Sequence, residues 1–216
     1  MQVYVITGME YDSNIYLIIG KVPTIIDTGT GFHSCTVLQK IQLYLQPPTI
    51  RQIILTHEHF DHVGGVPDLL KATQGNANII AHKAVVQKLK DGKSTFAEML
   101  GGTMPSITVD VPVSDREHVT VGDDPFEILA TPGHSIGSLC LYGEKSRWLF
   151  SGDTIFAHGG FGRYDFPGGN LGALRRSAER LAALDVDNLY SGHGPIVEHD
   201  GKNHILKALR NIQPLM

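Results

Sequence analysis

Cysteine is scarce in this sequence, which excludes a fold held together by disulfides. Cys35 and Cys140 are the only two among 216 residues, whereas small secreted domains need several pairs. The opening residues MQVYVITGMEYDSN also lack the basic start and the apolar stretch of a secretory signal. We therefore expect a cytoplasmic protein.

Long apolar runs and surplus positive charge are missing as well. No apolar run approaches the roughly 20 residues of a membrane-spanning helix, so we expect no membrane partner. Lysine and arginine number 18 against 22 aspartates and glutamates, and the formal net charge of −4 gives no attraction to nucleic acid. The chain is long enough to bury one core, and we predict a single domain over residues 1–216. The oligomeric state is left open.

Strand and helix signals alternate along the chain and predict an α/β fold with helices packed on sheets. Apolar runs bounded by turn residues predict strands over 3–6, 14–19, 50–55, 78–81, 118–121, 126–130, 138–142, 147–151 and 188–191. Apolar residues at helical spacing predict helices over about 33–45, 65–73, 82–91, 171–184 and 200–210. Asn170 is the expected N-cap of the helix that follows it. Residues 93–117, rich in Gly, Ser, Thr and Pro, are expected to form a surface loop.

Histidine, by contrast, is abundant, with 11 in the chain. The segment THEHFDH places His57, His59, Asp61 and His62 directly after the predicted strand 50–55. In an extended stretch residues two apart point the same way, so we expect His57, His59 and Asp61 to converge and His62 to point elsewhere. That arrangement suits two neighbouring metal ions. Imidazole and carboxylate ligands favour zinc, iron or manganese over calcium or magnesium.

Three further ligand candidates stand at the ends of predicted strands. His134 lies in TPGHSIGS, Asp153 in SGDT and His193 in SGHG, each after an apolar run and with glycine beside it. Glycine lets the backbone turn sharply and bring a ligand close to a shared centre. With the first cluster they make five histidines and two aspartates, the ligand count for two metal ions with one bridging carboxylate.

In this order, THEHFDH, TPGHSIGS, LFSGDTIF and YSGHG resemble the metallo-β-lactamase superfamily. The runs GHSIGS and GDTIFAHGGFGRYDFPGG are similar to single-domain relatives of glyoxalase II, hydroxyacylglutathione hydrolase. The resemblance implies a four-layer αββα sandwich that binds two divalent ions, with zinc expected and iron or manganese as alternatives. It also implies the ligand sets: His57, His59 and His134 for one ion, Asp61, His62 and His193 for the other, and Asp153 as the bridge.

Two neighbouring metal ions can hold a bridging water and lower its pKa from 15.7 toward about 7. This chemistry predicts a hydrolase, and the resemblance to glyoxalase II implies a small-molecule thioester substrate, such as S-lactoylglutathione or a related 2-hydroxyacyl thioester. Asp61, together with the metal-bound water, is the predicted catalytic residue, because it can guide a proton when the leaving group is an alkoxide or an amine.

Three residues are expected around the metal ligands. Asp27, in a DTG turn at the end of an apolar run, is expected to hold a ligand histidine, although a plain turn aspartate fits the same pattern. Arg163 is expected to bind a substrate carboxylate, with a salt bridge to Asp165 as the alternative. Tyr164 is expected to contact the substrate or to pack against the core.

Other functions of the same superfamily stay open at this point. The resemblance to persulfide dioxygenases implies a single iron held by His57, His134 and Asp153, although the run RYDFPGGN looks closer to the hydrolases. A lactonase or a β-lactamase is a third reading, and the missing signal argues against the β-lactamase. A nuclease would need a basic surface, and a closed structural zinc site is usually rich in cysteine. We expect the C-terminal glutathione-binding region of full-length glyoxalase II to be absent, because the sequence ends soon after His193.

Overall fold

The computed structural model describes residues 1–93 and 96–215 of the chain. The chain forms two compact units: Met1–Val113 with Thr120–Asp124, and Ser114–Val119 with Pro125–Met216. The single domain expected over residues 1–216 stays a prediction. Among the described residues, none of the helices has the length and apolar character that crossing a membrane requires.

Eleven strands and six α-helices lie within the described residues. The strands are β1 (Gln2–Ile6), β2 (Ile15–Ile19), β3 (Thr24–Ile26), β4 (Gln52–Ile54), β5 (Asn78–His82), β6 (Val111–Val113), β7 (His118–Val121), β8 (Asp124–Ala130), β9 (Leu139–Gly143), β10 (Trp148–Gly152) and β11 (Asn188–Ser191). The helices are α1 (Ser34–Gln42), α2 (Phe60–Val63), α3 (Val66–Ala72), α4 (Val86–Lys90), α5 (Leu171–Ala182) and α6 (Gly201–Ile212).

The first unit holds a six-stranded sheet in the order β1-β2-β3-β4-β5-β6. Strands β1 to β3 pair antiparallel, and β3 to β6 pair parallel. The parallel strands need crossover helices, and α1 and α3 supply Ile41 and Leu69 to a core shared with Ile25 and Ile53 of the sheet. Because β3 and β4 run parallel, the loops after Ile26 and Ile54 leave from the same edge of this sheet.

The second sheet has the order β11-β10-β9-β8-β7. Strand β9 pairs antiparallel with both β8 and β10, while β10 and β11 pair parallel. The carboxyl ends of β8, β10 and β11 therefore lie at one edge of this sheet. Helices α5 and α6 supply Leu174 and Ile205 to the core of the second unit. The side-chain oxygen of Asn170 accepts a hydrogen bond from the Ala173 N–H at 2.7 Å, which confirms the predicted N-cap of α5.

After β4 the chain bends at residues 56–58, and only His59 just before the next helical turn has extended backbone angles. His59 has φ −71° and ψ 146°, and the next four residues form the single helical turn α2. The turn closes because Phe60 and Val63 bury their side chains in the core of the first unit. The prediction of an extended segment is therefore wrong, because residues 56–58 bend and Asp61 and His62 lie on a helical turn. The expectation that His62 points elsewhere is wrong as well, since its ligand atom lies within 4.8 Å of those of His57 and Asp61.

Part of the predicted loop 93–117 is ordered in regular structure. Strand β6 pairs parallel with β5, with Ile80 opposite Val111, and a short 3-10 turn covers Glu98–Leu100. Residues 94–95 of this segment lie outside the described residues. The strand escaped prediction because it is only three residues long with a proline at its centre, a composition that is tolerated at the edge of a sheet.

Candidate metal centre

Asp27 directly follows β3 and lies next to the histidine-rich segment that follows β4. Its Oδ1 accepts a hydrogen bond from the Thr56 N–H at 2.8 Å, and its Oδ2 accepts one from the Thr56 hydroxyl at 2.8 Å. Asp27 is buried and has φ 58°, a left-handed backbone that aspartate tolerates better than most residues. The turn thus aims the carboxylate back at the end of the neighbouring strand.

The same carboxylate orients His62. The Nδ1 atom of His62 lies 2.8 Å from Asp27 Oδ2, and an ionised carboxylate can only accept. His62 therefore donates from Nδ1 and carries its lone pair on Nε2, which lies 3.6 Å from Asp61 Oδ2. This is the arrangement by which proteins fix the tautomer of a metal-binding histidine.

His57 and His59 point ring nitrogens at one another. Nε2 of His57 lies 3.1 Å from Nδ1 of His59, and both residues are buried. Two nitrogen ligands around a tetrahedral ion with bonds of about 2.0–2.1 Å are separated by about 3.3–3.4 Å, close to the spacing here. The ligand atoms of His57 and His62, and those of Asp61 and His62, lie within 4.8 Å of one another in each pair. The first unit thus gathers four of the predicted ligands.

The second unit gathers the other three. Nε2 of His134 and Nε2 of His193 each lie 3.6 Å from the same oxygen, Oδ2 of Asp153. The three residues follow β8, β11 and β10, whose carboxyl ends share one edge of the sheet. One carboxylate oxygen between two imidazoles suits a bridging role, because each imidazole can belong to a different ion.

Sequence reasoning missed the group that orients His134. Its Nδ1 donates to the main-chain carbonyl of Arg163 at 2.7 Å, which turns Nε2 toward Asp153. The neighbouring Gly162 makes this approach possible, because a Cβ there would lie 1.9 Å from the Asp153 carbonyl oxygen and 2.9 Å from His134 Nδ1. A main-chain carbonyl carries no residue-type signal, and Gly162 is one of 24 glycines.

An ion pair between a buried glutamate and a partly exposed lysine next to the histidines was missed as well. Glu58 stands between His57 and His59, is fully buried, and lies 3.2 Å from Nζ of Lys88 on α4. The pair compensates a carboxylate that would be costly to bury alone.

Arg163 and Tyr164 are placed with intramolecular partners. The Arg163 guanidinium makes two hydrogen bonds to the Asp165 carboxylate, at 3.0 and 2.7 Å, and lies 4.1 Å from the centre of the Phe166 ring. The bond to Asp165 raises the pKa of Arg163. Tyr164 is partly buried against the core of the second unit. Their roles in substrate binding stay predictions.

A sequence model described as the metallo-β-lactamase superfamily matches residues 8–193. A probable metallo-hydrolase of Methanocaldococcus jannaschii is 36 % identical over 196 residues, covering 88 % of this chain and 92 % of that protein. The crystal structure of TTHA1623 in a di-iron-bound form is 28 % identical with a TM-score of 0.76, over 99 % of this chain and 100 % of that one. The BLEG-1 B3 metallo-β-lactamase structure has the same identity and TM-score, over 94 % and 96 %. These matches confirm the predicted α/β fold with two sheets.

Proposed function

This chain belongs to the metallo-β-lactamase superfamily, and on that premise we propose that it is a hydrolase that uses two divalent metal ions to cleave a small thioester. Zinc is the ion we propose first. Iron is the alternative, and the di-iron form of the similar protein TTHA1623 supports it.

The position of Asp153 carries the proposal. A single oxygen of this carboxylate lies 3.6 Å from Nε2 of both His134 and His193, which fits one ligand shared by two ions. In the proposed arrangement Asp153 would be shared by both ions. His57, His59 and His134 would hold one ion, and Asp61, His62 and His193 would hold the other.

The donor set fits the proposed ions. Imidazole nitrogens with carboxylate oxygens suit zinc, iron and manganese, whereas calcium and magnesium prefer all-oxygen sites. When bound, two such ions supply a water of lowered pKa and polarise a substrate carbonyl. The chain itself fixes the imidazoles for that task, with the Asp27 carboxylate holding His62 and the Arg163 carbonyl holding His134.

A thioester is the substrate whose hydrolysis requires the least acid catalysis from residues outside the two ligand sets. A thiolate leaves without a strong general acid, and every imidazole and carboxylate of the two ligand sets is already assigned to an ion. Asp61 is the proposed proton carrier for a poorer leaving group. The resemblance of RYDFPGG to glyoxalase II relatives supports a 2-hydroxyacyl thioester such as S-lactoylglutathione.

The test pairs a substrate assay with matched variants. The purified protein is assayed for thiol release from S-lactoylglutathione and for oxygen uptake with glutathione persulfide. We expect thiol release from the wild type, its loss in Asp153→Asn and His193→Ala, and its retention in His118→Ala, whose histidine is exposed on β7. Oxygen uptake without thiol release would overturn the proposal in favour of a persulfide dioxygenase.

A further inference from the structure

Three polar side chains form a buried triangle in the second unit. Thr131, Cys140 and Thr154 are each fully enclosed, with 0 % of their surface exposed. Thr131 directly follows β8 and precedes His134 by three residues, and Thr154 directly follows Asp153. Cys140 belongs to β9, the strand between β8 and β10. The triangle therefore touches the two loops that carry a ligand histidine and the proposed bridging carboxylate.

The hydrogen bonds of the triangle are mutually consistent. The Thr131 and Thr154 hydroxyls lie 2.9 Å apart, and Cys140 Sγ lies 3.3 Å from the Thr131 hydroxyl and 3.5 Å from the Ser151 carbonyl oxygen. Every hydrogen finds an acceptor if Cys140 donates to Ser151, Thr131 donates to Cys140, and Thr154 donates to Thr131. Burial raises the pKa of the Cys140 thiol to about 11, so the thiol keeps the proton that this pattern needs.

The contact joins strands that have no ladder between them. Strands β8 and β10 are separated by β9, and next-nearest strands lie about 9.5 Å apart. Beyond their ends, the Thr131 and Thr154 hydroxyls approach to 2.9 Å. Burying a hydroxyl group in an apolar core costs free energy unless it is hydrogen-bonded. Valine would fill the same volume as threonine without this cost, so the two buried threonines require an explanation. The hydrogen bond between the Thr131 and Thr154 side chains therefore connects the ends of β8 and β10, which share no main-chain hydrogen bonds.

We propose that Thr131 and Thr154 are positioning residues whose hydroxyl-to-hydroxyl bond fixes the separation of His134 and Asp153 and thereby raises metal affinity. They act through those two ligands and touch neither substrate nor metal. The inference rests on the proposed function, since it assigns the triangle to the same two-metal site.

The test measures how readily zinc leaves the zinc-loaded full-length protein for a chelating dye. Thr131→Val and Thr154→Val remove one hydroxyl each at constant volume, and we expect each to weaken zinc retention by about tenfold. The double variant should lose little more than either single one, because both remove the same bond. Thr131→Ser and Thr154→Ser keep the hydroxyl and should restore wild-type retention.

The control is Thr73→Val. Thr73 directly follows α3, is also fully buried, and donates its hydroxyl to the Leu70 carbonyl. A merely structural role would lower the thermal midpoint of the variants and leave zinc retention at the wild-type level, and that result would overturn the inference. If a valine variant does not fold, Thr154→Ala removes the same hydroxyl and takes its place. A wild type that never holds two metal ions would instead overturn the proposed function.

Discussion

The His62 imidazole and the Asp27 carboxylate form a buried pair, with 2.8 Å between Nδ1 and Oδ2. The carboxylate also accepts both donors of Thr56, so its position is fixed from the end of the neighbouring strand. The pair therefore links the turn after β3 to His62 on α2, a proposed metal ligand.

Asp27→Asn should weaken metal binding without unfolding the protein. Asparagine tolerates the left-handed backbone at this position and keeps the size of the side chain, but loses one of the acceptors shared by Thr56 and His62. Loss of such an outer partner typically costs about 10–100-fold in metal affinity. Metal content after dialysis and the circular dichroism spectrum measure the two effects. Unchanged metal content would show that Asp27 does not support the metal centre.

Gly162→Ala should disturb His134 and Asp153, two of the proposed metal ligands. The added Cβ would lie 1.9 Å from the Asp153 carbonyl oxygen, so the loop has to move and the Arg163 carbonyl moves with it. We expect loss of metal and of hydrolysis. Gly172→Ala is the control, because its Cβ would meet neighbours no closer than 3.4 Å inside α5, where alanine favours the helix by about 0.5–1 kcal/mol. Equal behaviour of the two variants would contradict the prediction.

Lys88→Met should destabilise the chain because it removes the positive charge that lies 3.2 Å from the buried Glu58 carboxylate. Breaking a fully buried pair costs about 3–5 kcal/mol. We expect less, about 1–3 kcal/mol, because the Lys88 side chain is 32 % exposed and water screens the pair. Denaturant unfolding measures the change. Adding Glu58→Gln to Lys88→Met should recover part of it, and a double variant less stable than Lys88→Met would argue against the pair.

His204 should make the protein less stable as the pH falls below about 6.5. Burial lowers the pKa of His204 from the ordinary 6.5, Lys207 and His158 act in the same direction, and Asp200 opposes them. Nδ1 of His204 also accepts a hydrogen bond from the main-chain N–H of His158 at 2.8 Å. This bond requires the neutral His204 imidazole, because a protonated ring has no free lone pair at Nδ1. Below pH 6.5 the unfolded chain therefore binds the proton first, and the unfolding free energy declines until the folded pKa is passed.

The variant for this test is His204→Asn, whose side-chain oxygen can accept the same N–H. Unfolding free energies at about pH 7.5 and about pH 5.5 should differ less in the variant than in the wild type. The remaining histidines are common to both proteins and cancel in the comparison. An identical pH dependence would show that His204 contributes nothing to it.

The strand ends that carry the proposed ligands could be predicted from the sequence, because these strands end where apolar runs end. The run before SGHG became β11 at the predicted residues, 188–191, and the run before SGDT became β10 within one residue. A turn of four residues, such as α2, is too short for a periodic pattern. Its formation depends on where Phe60 finds a place in the core, which is a tertiary effect.

The Asp27–His62 contact agrees with the expectation from the DTG turn, but two other supporting contacts could not be predicted, for a different reason. His134 meets the carbonyl of a residue 29 positions away, and Glu58 meets a lysine 30 positions away. The sequence contains many main-chain carbonyls and many lysines, so nothing in the residue type marks the Arg163 carbonyl or Lys88 as the partner. Such contacts follow from strand order and loop path, which single-sequence patterns do not fix.

The most direct test of the two-metal account is the metal content of the purified protein beside that of Asp153→Ala. We predict about two metal ions per wild-type chain, as a shared carboxylate implies, and loss of both ions when the carboxylate is removed. One metal ion per wild-type chain, or two retained by Asp153→Ala, would contradict the account.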